Sequence, residues 1–172
     1  AISGVGKVGG KLAKLLAKAG ARITVASINQ KSIDELKKII EITEASPENL
    51  FKTRCDIISP CALGGAINSL NRNLLRCKAI VGAANNQLDN SETGEWLSKN
   101  NIIYSPDYLV NSGGVIAIAS EINGKEKFLE KQLEKVGERL ITVLEESKKN
   151  NKSTNSVAKR IAWERINRSL EN

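Results

Sequence analysis

Histidine is absent from the 172 residues of this chain, and cysteine and aromatic residues are scarce. The lack of histidine excludes histidine general acid–base catalysis and histidine ligation of metals within the chain. The three cysteines show no C-x-x-C spacing, so they predict reduced thiols, with neither a disulfide framework nor a metal site. Aromatic residues make up only 3% of the chain, which predicts an aliphatic core.

Long apolar runs are also missing from the sequence, and we expect no secretory leader. A membrane-spanning helix needs about 20 consecutive apolar residues, and a signal peptide opens with a basic segment. We therefore expect a cytoplasmic protein of one globular domain without membrane contact. The formal charge is +7, but Lys and Arg are spread along the chain. This spread is typical of solvated helix faces and does not indicate a nucleic-acid surface.

The first ten residues contain the pattern G-x-G-x-x-G, formed by Gly4, Gly6 and Gly9. Residues 1–3 have the character of the end of a buried strand, and apolar residues recur at helical spacing over 8–19. A strand, a glycine turn and a helix N-terminus are the context that a dinucleotide-binding site requires. Backbone N–H groups and the helix dipole would hold a pyrophosphate there. The alternative is a glycine-rich turn that serves only packing.

A β-branched run over 22–28 predicts the second strand, which ends at Ser27, Ile28 and Asn29. Dinucleotide folds commonly have an acidic residue here, about 20 residues beyond the glycines, to bind ribose hydroxyls. A carboxylate would repel a 2′-phosphate, whereas serine does not and Lys31 could attract one. This favours NADP over NAD, and both cofactors remain candidates. The alternative is that Ser27 only ends the strand and that cofactor affinity is poor.

The remaining periodic segments predict an alternation of strands and helices. A helix is expected over 32–44, where Ser32 and Glu35 have the spacing of a capping box. Strands are expected over 56–61, 78–84 and 102–104, and helices over 91–100, 115–122, 125–149 and 157–166. This order predicts an α/β fold: a Rossmann-like, doubly wound, mostly parallel sheet, followed by C-terminal helices over 125–172.

Loops at the carboxyl ends of parallel strands line the ligand crevice of such a sheet. The strand over 56–61 ends at Pro60, Cys61 and Ala62, which are candidate adenosine contacts. Cys61 is interpreted as a small filler, because no histidine exists to activate it as a nucleophile. The strand over 78–84 leads into amide side chains, which donate and accept hydrogen bonds and so suit a carboxamide such as nicotinamide. The candidate contacts there are Ala84, Asn85 and Asn86.

Four ordered stretches together resemble the Glu/Leu/Phe/Val dehydrogenases, with the closest likeness to the leucine, valine and phenylalanine branch. They are GVGKVG (4–9), CDIISPCALGG (55–65), AANNQL (83–88) and YSPDYLVNSGGV (104–115). The segment over 157–166 is also similar to the last helix of that branch. The resemblance covers essentially the whole chain. It implies oxidative deamination of an L-amino acid, branched-chain or aromatic, to a 2-oxo acid, with hydride transfer to NAD or NADP.

The resemblance also implies roles for individual residues. The family's pyrophosphate loop is matched by Gly4, Val5, Gly6, Lys7, Val8 and Gly9. The segment that contacts the nicotinamide end of the cofactor is matched by Asn85 and Asn86. The segment beside nicotinamide and the substrate side chain is matched by Asn111, a cofactor contact, and by Gly113, Gly114 and Val115, which would form the substrate pocket.

Two departures from the family pattern bear on function. The usual acidic residue after the second strand is Ser27 here. The family's catalytic lysine, substrate-carboxylate lysine and catalytic aspartate belong to an N-terminal domain that has no match in this chain. We therefore expect residues 1–172 to form the dinucleotide-binding domain only, with no catalytic residue and no turnover by the chain alone. The family implies a homo-oligomer, or a partner chain that carries the other domain. The alternative is a non-catalytic, truncated or partner-dependent NAD(P)-binding fragment.

Overall fold

The computed structural model describes residues 1–170, and its centre is a six-stranded sheet. The strands are β1 (Ile2–Ser3), β2 (Thr24–Ala26), β3 (Thr43–Glu44), β4 (Ile57–Pro60), β5 (Ala79–Ile80) and β6 (Ile103–Tyr104). They lie in the order β3-β2-β1-β4-β5-β6, and all neighbouring pairs are parallel. This is the order of doubly wound dinucleotide-binding folds, so the predicted fold class is confirmed.

Helices connect the strands and continue beyond the sheet. They are α1 (Lys7–Lys18), α2 (Gln30–Lys37), α3 (Pro47–Leu50), α4 (Ser91–Lys99), α5 (Asp107–Val110), α6 (Gly113–Ile122), α7 (Leu129–Asn150) and α8 (Thr154–Leu170). Short 3₁₀ turns occur at Arg72–Leu74 and Glu126–Phe128. Residues 171 and 172, the end of the predicted C-terminal helices, lie outside the described residues. None of the helices within residues 1–170 is long and apolar enough to cross a bilayer.

The core is divided into three clusters of buried side chains. The first lies around β1 and β2 and includes Ile2, Val25 and Ile33, whereas the second surrounds β5 and β6. A third cluster joins α7 to α8. Aliphatic side chains dominate, as predicted, but the second cluster also contains Tyr104, of which only 3% is exposed. The Thr154 hydroxyl donates to the Tyr104 carbonyl oxygen at 2.5 Å, which ties the start of α8 to β6.

The predicted helix over 32–44 is wrong in two respects. Its N-cap is Asn29 and not Ser32, because the Asn29 side chain accepts the Ser32 backbone N–H at 3.3 Å. The helix ends at Lys37, and β3 follows at Thr43–Glu44. Backbone pairing decides this outcome, since the Thr43 N–H donates to the Ile23 carbonyl oxygen at 2.8 Å and extends the sheet beyond β2.

The strand order places a crevice between β1 and β4. From β1 the chain proceeds to β2 and β3 on one side of the sheet, and then crosses to β4 on the other side. The loops that leave the carboxyl ends of β1 and β4 therefore diverge at this point. Ligands of open α/β sheets bind in the crevice at such a reversal of strand order.

Candidate cofactor site

The predicted cofactor segments all follow the carboxyl ends of strands. Gly4 follows β1, Ser27 follows β2, Cys61 follows β4, Asn85 follows β5, and Asn111 follows β6 after the short helix α5. Because the strands are parallel, these ends form one edge of the sheet. The structure therefore brings the five predicted segments to the same side of the molecule.

The glycine loop, residues 4–9, depends on two positions where a side chain would not fit. Gly4 has φ +95°, a left-handed conformation that favours glycine. A Cβ on Gly4 would also lie 2.8 Å from the Ala62 Cβ. A Cβ on Gly9 would lie 2.0 Å from the Gly4 carbonyl oxygen, so α1 can approach β1 only with glycine at this place. Gly6 differs, since no atom lies within 4 Å of its Cβ position.

The N-terminus of α1 is not capped by a side chain. Gly6 is its N-cap residue, and the first turn contains no acidic residue. Lys7 and Val8 are exposed, whereas Val5 is buried in the first core cluster and offers only its backbone to the loop. A helix N-terminus with open space at Gly6 and a neighbouring lysine suits an anionic group such as a pyrophosphate.

The segment after β2 makes its own local hydrogen bonds. The Ser27 hydroxyl accepts the Asn29 backbone N–H at 3.2 Å, and the Asn29 side chain caps α2. Ile28 between them is 98% exposed. No acidic side chain is present at these three positions. The Ser27 hydroxyl proton remains available for a ligand, because its bond to Asn29 uses only an acceptor site.

The loops after β4 and β5 pack directly on each other. The Gly65 N–H donates to the Asn86 carbonyl oxygen at 2.7 Å. A Cβ on Gly64 would lie 2.9 Å from the Asn85 carbonyl oxygen, which shows how closely the two backbones approach. Together with the contact between Gly4 and Ala62, this packing makes one continuous surface from the glycine loop to the amides after β5.

The amide cluster consists of Asn85, Asn86 and Asn111, together with Asp107. The Asn111 side-chain amide donates to the Asn85 side-chain oxygen at 2.6 Å, although the two residues are 26 positions apart. The Asn86 backbone N–H donates to Asp107 Oδ2 at 2.6 Å. Asn86 has φ 50°, so a left-handed backbone is held at this position. The Asn85 and Asn86 side chains are exposed at the edge of the sheet, where they can meet a ligand.

Sequence reasoning missed three residues that support the amide cluster. Asp107 accepts the Tyr104 hydroxyl at 2.7 Å as well as the Asn86 N–H. Burial, and then the hydrogen bond to Asp107, hold the pKa of Tyr104 far above its usual range. Gln87 is fully buried, and its amide donates to the carbonyl oxygens of Gly82 and Ala84 at 2.7 and 2.9 Å. The run of three amides over 85–87 is the signal that could have identified Gln87.

The predicted substrate-pocket residues open helix α6. Gly113 and Gly114 are its first residues, and Val115 is 72% exposed. The segment follows Asn111 directly, so it lies next to the amide cluster. An exposed apolar side chain beside an amide cluster suits a ligand with one polar and one apolar end.

Cys61 is partly buried and packs against the first core cluster. Burial raises the pKa of its thiol, so the nucleophilic thiolate is scarce at neutral pH. The structure of residues 1–170 contains no group of three or more His, Cys, Asp or Glu side chains that could hold a metal ion.

Comparison with known proteins decides the family. A model of glutamate/leucine/phenylalanine/valine dehydrogenases matches residues 24–170. The chain belongs to this family. Phenylalanine dehydrogenase from Thermoactinomyces intermedius is 40% identical over 170 residues, which cover 96% of this chain and 46% of that enzyme. The crystal structure of L-tryptophan dehydrogenase from Nostoc punctiforme superposes with a TM-score of 0.94 at 35% identity, over 99% of this chain and 52% of that one.

A more distant member shares the fold. Hetero-hexameric glutamate dehydrogenase from Thermus thermophilus is 19% identical, with a TM-score of 0.77. The chain spans about half the length of the relatives that it matches. Family membership, predicted from the four ordered stretches, is thus confirmed. The substrate and the cofactor of this chain are proposals, which follow.

Proposed function

We propose that this chain is the cofactor-binding part of an amino-acid dehydrogenase, which oxidatively deaminates an L-amino acid to a 2-oxo acid. The observation that carries the proposal is the convergence of the glycine loop and the amide cluster on the carboxyl edge of a doubly wound sheet. NAD or NADP would accept the hydride. Relatives named for phenylalanine, leucine and tryptophan support a branched-chain or aromatic substrate.

The residues present fit a dinucleotide along the continuous surface described above. Open space at Gly6 and the uncapped N-terminus of α1 accommodate the pyrophosphate. The segments at Ser27 and at 60–62 would contact the adenosine half. The amide cluster would hold the carboxamide of the nicotinamide, because amide side chains can donate and accept at once.

The substrate would meet the nicotinamide beside the start of α6. Val115 offers apolar contact to a substrate side chain, and Gly113 and Gly114 leave room for it. General base catalysis needs a basic group within hydrogen-bond reach of the reacting group. The family implies a lysine for this role, and no residue of this chain takes it in our proposal. We therefore expect the 172-residue chain alone to have no catalytic activity. The base would come from another domain or a partner chain, within an oligomer.

The absence of an acid at residues 27–29 favours NADP over NAD in this proposal. A carboxylate at Ser27 would repel the 2′-phosphate, whereas the serine hydroxyl and the exposed Lys31 do not.

Titration of the purified, folded chain with NADH and with NADPH, followed by nicotinamide fluorescence, tests the proposal. We expect saturable binding of at least one cofactor, with NADPH bound more tightly. Gly6→Ala should weaken binding at least tenfold while the fold is kept, because its methyl group would enter the open space needed by the pyrophosphate. Gly10→Ala is the matched control, since its nearest neighbour would lie at 3.8 Å and binding should persist. Failure of the folded chain to bind either cofactor would refute the proposal. Only common ancestry with the dehydrogenases would then remain.

A further inference from the structure

The amino edge of the sheet, opposite the candidate cofactor site, carries two of the three cysteines. Cys55 precedes β4 by two residues, and Cys77 precedes β5 by two residues. The strands are parallel neighbours with Ile57 opposite Ala79, and counting back two residues on each strand leads to Cys55 and to Cys77, beyond bends at Asp56 and Lys78. The Cys55 N–H donates to the Arg76 carbonyl oxygen at 3.1 Å, so the two segments stay hydrogen-bonded to each other ahead of the strands.

Side chains at opposed positions of parallel neighbours point to the same face. The adjacent residues Asp56 and Lys78 form an ion pair between the same two segments, with Lys78 Nζ 2.7 Å from Asp56 Oδ1. The Cys55 thiol is close enough to Cys77 to contribute to its raised pKa. Neighbouring strands are about 4.8 Å apart, within the Cα separation of about 4.4 to 6.8 Å that a disulfide spans. All three cysteines are free thiols in the structure, and Cys61 follows β4 at the other edge.

We propose that Cys55 and Cys77 form a dithiol site that low-molecular-weight disulfides oxidise reversibly to an intramolecular disulfide. The proposal does not depend on the function proposed above, because neither cysteine belongs to the candidate cofactor site.

The two thiols lie in different surroundings, and this difference determines which of them reacts first. Cys55 lines a cavity of about 550 Å³ together with Arg22 and Arg54. These guanidinium groups would attract an anionic reagent such as oxidised glutathione. Cys77 packs against the second core cluster, and burial, followed by the nearby Cys55 thiol, raises its pKa to about 11. A reagent bound in this cavity therefore meets Cys55 first, and the less ionised Cys77 thiol reacts second.

The exchange balances in two steps. The Cys55 thiolate attacks one sulfur of oxidised glutathione, so that a mixed disulfide forms and one glutathione leaves as a thiolate. The Cys77 thiolate then attacks the Cys55 sulfur, and the second glutathione leaves. Two protein thiols are oxidised to one disulfide, one glutathione disulfide is reduced to two thiols, and the two protein protons pass to the released glutathiones. Excess reduced thiol reverses both steps.

Intact mass measurement of the folded chain after incubation with oxidised glutathione tests the proposal. We expect a loss of about 2 Da, reversed by dithiothreitol. The Cys61→Ser variant retains only Cys55 and Cys77, so the same loss there assigns the bond without peptide mapping. If Cys61→Ser does not fold, Cys61→Ala is used in its place. Cys77→Ser should gain one glutathione at Cys55 without the loss of about 2 Da. Cys55→Ser keeps only thiols whose pKa burial raises, so it should react more slowly and also show no such loss.

A parallel incubation in concentrated urea separates folded geometry from sequence proximity. The folded protein should close the bond at least tenfold faster than the unfolded chain, in which the mixed disulfide with glutathione should accumulate. The proposal is overturned if the folded Cys61→Ser protein accumulates glutathione adducts without losing two hydrogens, or if urea does not slow closure of the bond.

Discussion

The glycine loop and the amide cluster lie on the same edge of the sheet but are built in opposite ways. The glycine loop exists because side chains are absent: at Gly4 and Gly9 a Cβ would collide with Ala62 and with the Gly4 carbonyl oxygen. The amide cluster exists because polar side chains are present and hydrogen-bonded, above all Asp107. The first is a matter of steric fit around six contiguous residues, whereas the second depends on hydrogen bonds between residues 21 to 26 positions apart. Substitutions should therefore disrupt the glycine loop through steric collision and the amide cluster through loss of hydrogen bonds.

The largest effect is expected for Gly9→Ala. Its Cβ would lie 2.0 Å from a backbone oxygen, which cannot move aside as a side chain would. We expect a loss of about 3 kcal/mol in the free energy of unfolding. Urea unfolding followed by circular dichroism measures it, with Gly10→Ala as the control. Gly10→Ala should be neutral or stabilising, since alanine favours helix by about 1 kcal/mol over glycine. Equal stability of the two variants would show that α1 does not pack on the loop as described.

Asp107→Ala is expected to have the next largest effect. It removes the acceptor of both the Asn86 N–H and the Tyr104 hydroxyl. Loss of these partners should cost about 2 kcal/mol of stability and weaken NADPH binding, because the left-handed backbone at Asn86 loses its anchor. Asp107→Asn keeps one acceptor oxygen and should lose less. Unfolding and fluorescence titrations of both variants check this, and identical losses would show that the acceptor oxygen kept in Asp107→Asn contributes nothing.

Ser27→Asp should act on cofactor choice and hardly on stability. A carboxylate at this position would weaken NADPH binding by roughly tenfold, or about 1.4 kcal/mol, and spare NADH. Parallel titrations with the two cofactors measure the ratio. Ser98→Asp, an equal change of charge near the end of α4, is the control and should leave the ratio unchanged. If Ser27→Asp leaves the ratio of NADPH to NADH affinity unchanged, the ribose of the cofactor does not lie beside residue 27.

The smallest effect is expected in the pH dependence of stability. Folding holds the pKa of Tyr104 far above its usual range through burial and Asp107, so the folded protein keeps a proton that the unfolded chain loses near pH 10. This stabilisation is complete below about pH 10 and is lost as the pH rises above it. Burial and Asp107 also raise the pKa of Tyr108, to about 12, which acts in the same direction.

Tyr104→Phe isolates the contribution of Tyr104, because Tyr108 remains in both proteins. Between about pH 10 and 11 the wild-type protein should lose roughly 1 kcal/mol more unfolding free energy than the variant. Urea unfolding at several pH values measures the two slopes. Parallel slopes would mean that the Tyr104 phenol titrates normally in the folded protein.

The contrast between the two parts also explains what could be predicted from the sequence. The glycine loop was found because its residues are contiguous and its spacing reflects local geometry. Asn85 and Asn86 were predicted from an unusual run of amides, and Asn111 was predicted from the family resemblance. The contact between Asn85 and Asn111 was not predicted. Asp107 was missed, because an acid in a turn has no local pattern that reveals a partner 21 residues earlier.

The same reasoning applies to the fold. The strands with apolar runs were predicted, although the predicted strand over 22–28 is longer than β2. β3 was missed because Thr43 and Glu44 are exposed and only their pairing with β2 makes them a strand. The cap of α2 was assigned to Ser32 from a spacing rule, whereas the Asn29 side chain, three residues earlier, accepts the Ser32 backbone N–H.

The central claim is that the carboxyl edge of the sheet binds the cofactor. Amide chemical shifts of the isotope-labelled chain, followed during addition of NADPH, test it most directly. The account predicts saturable shifts at Gly4 to Gly9 and at Asn85, Asn86 and Asn111, with little change at Cys55 and Cys77 on the opposite edge. Shifts confined to the amino edge, or absent at both the glycine loop and the amide cluster, would contradict it.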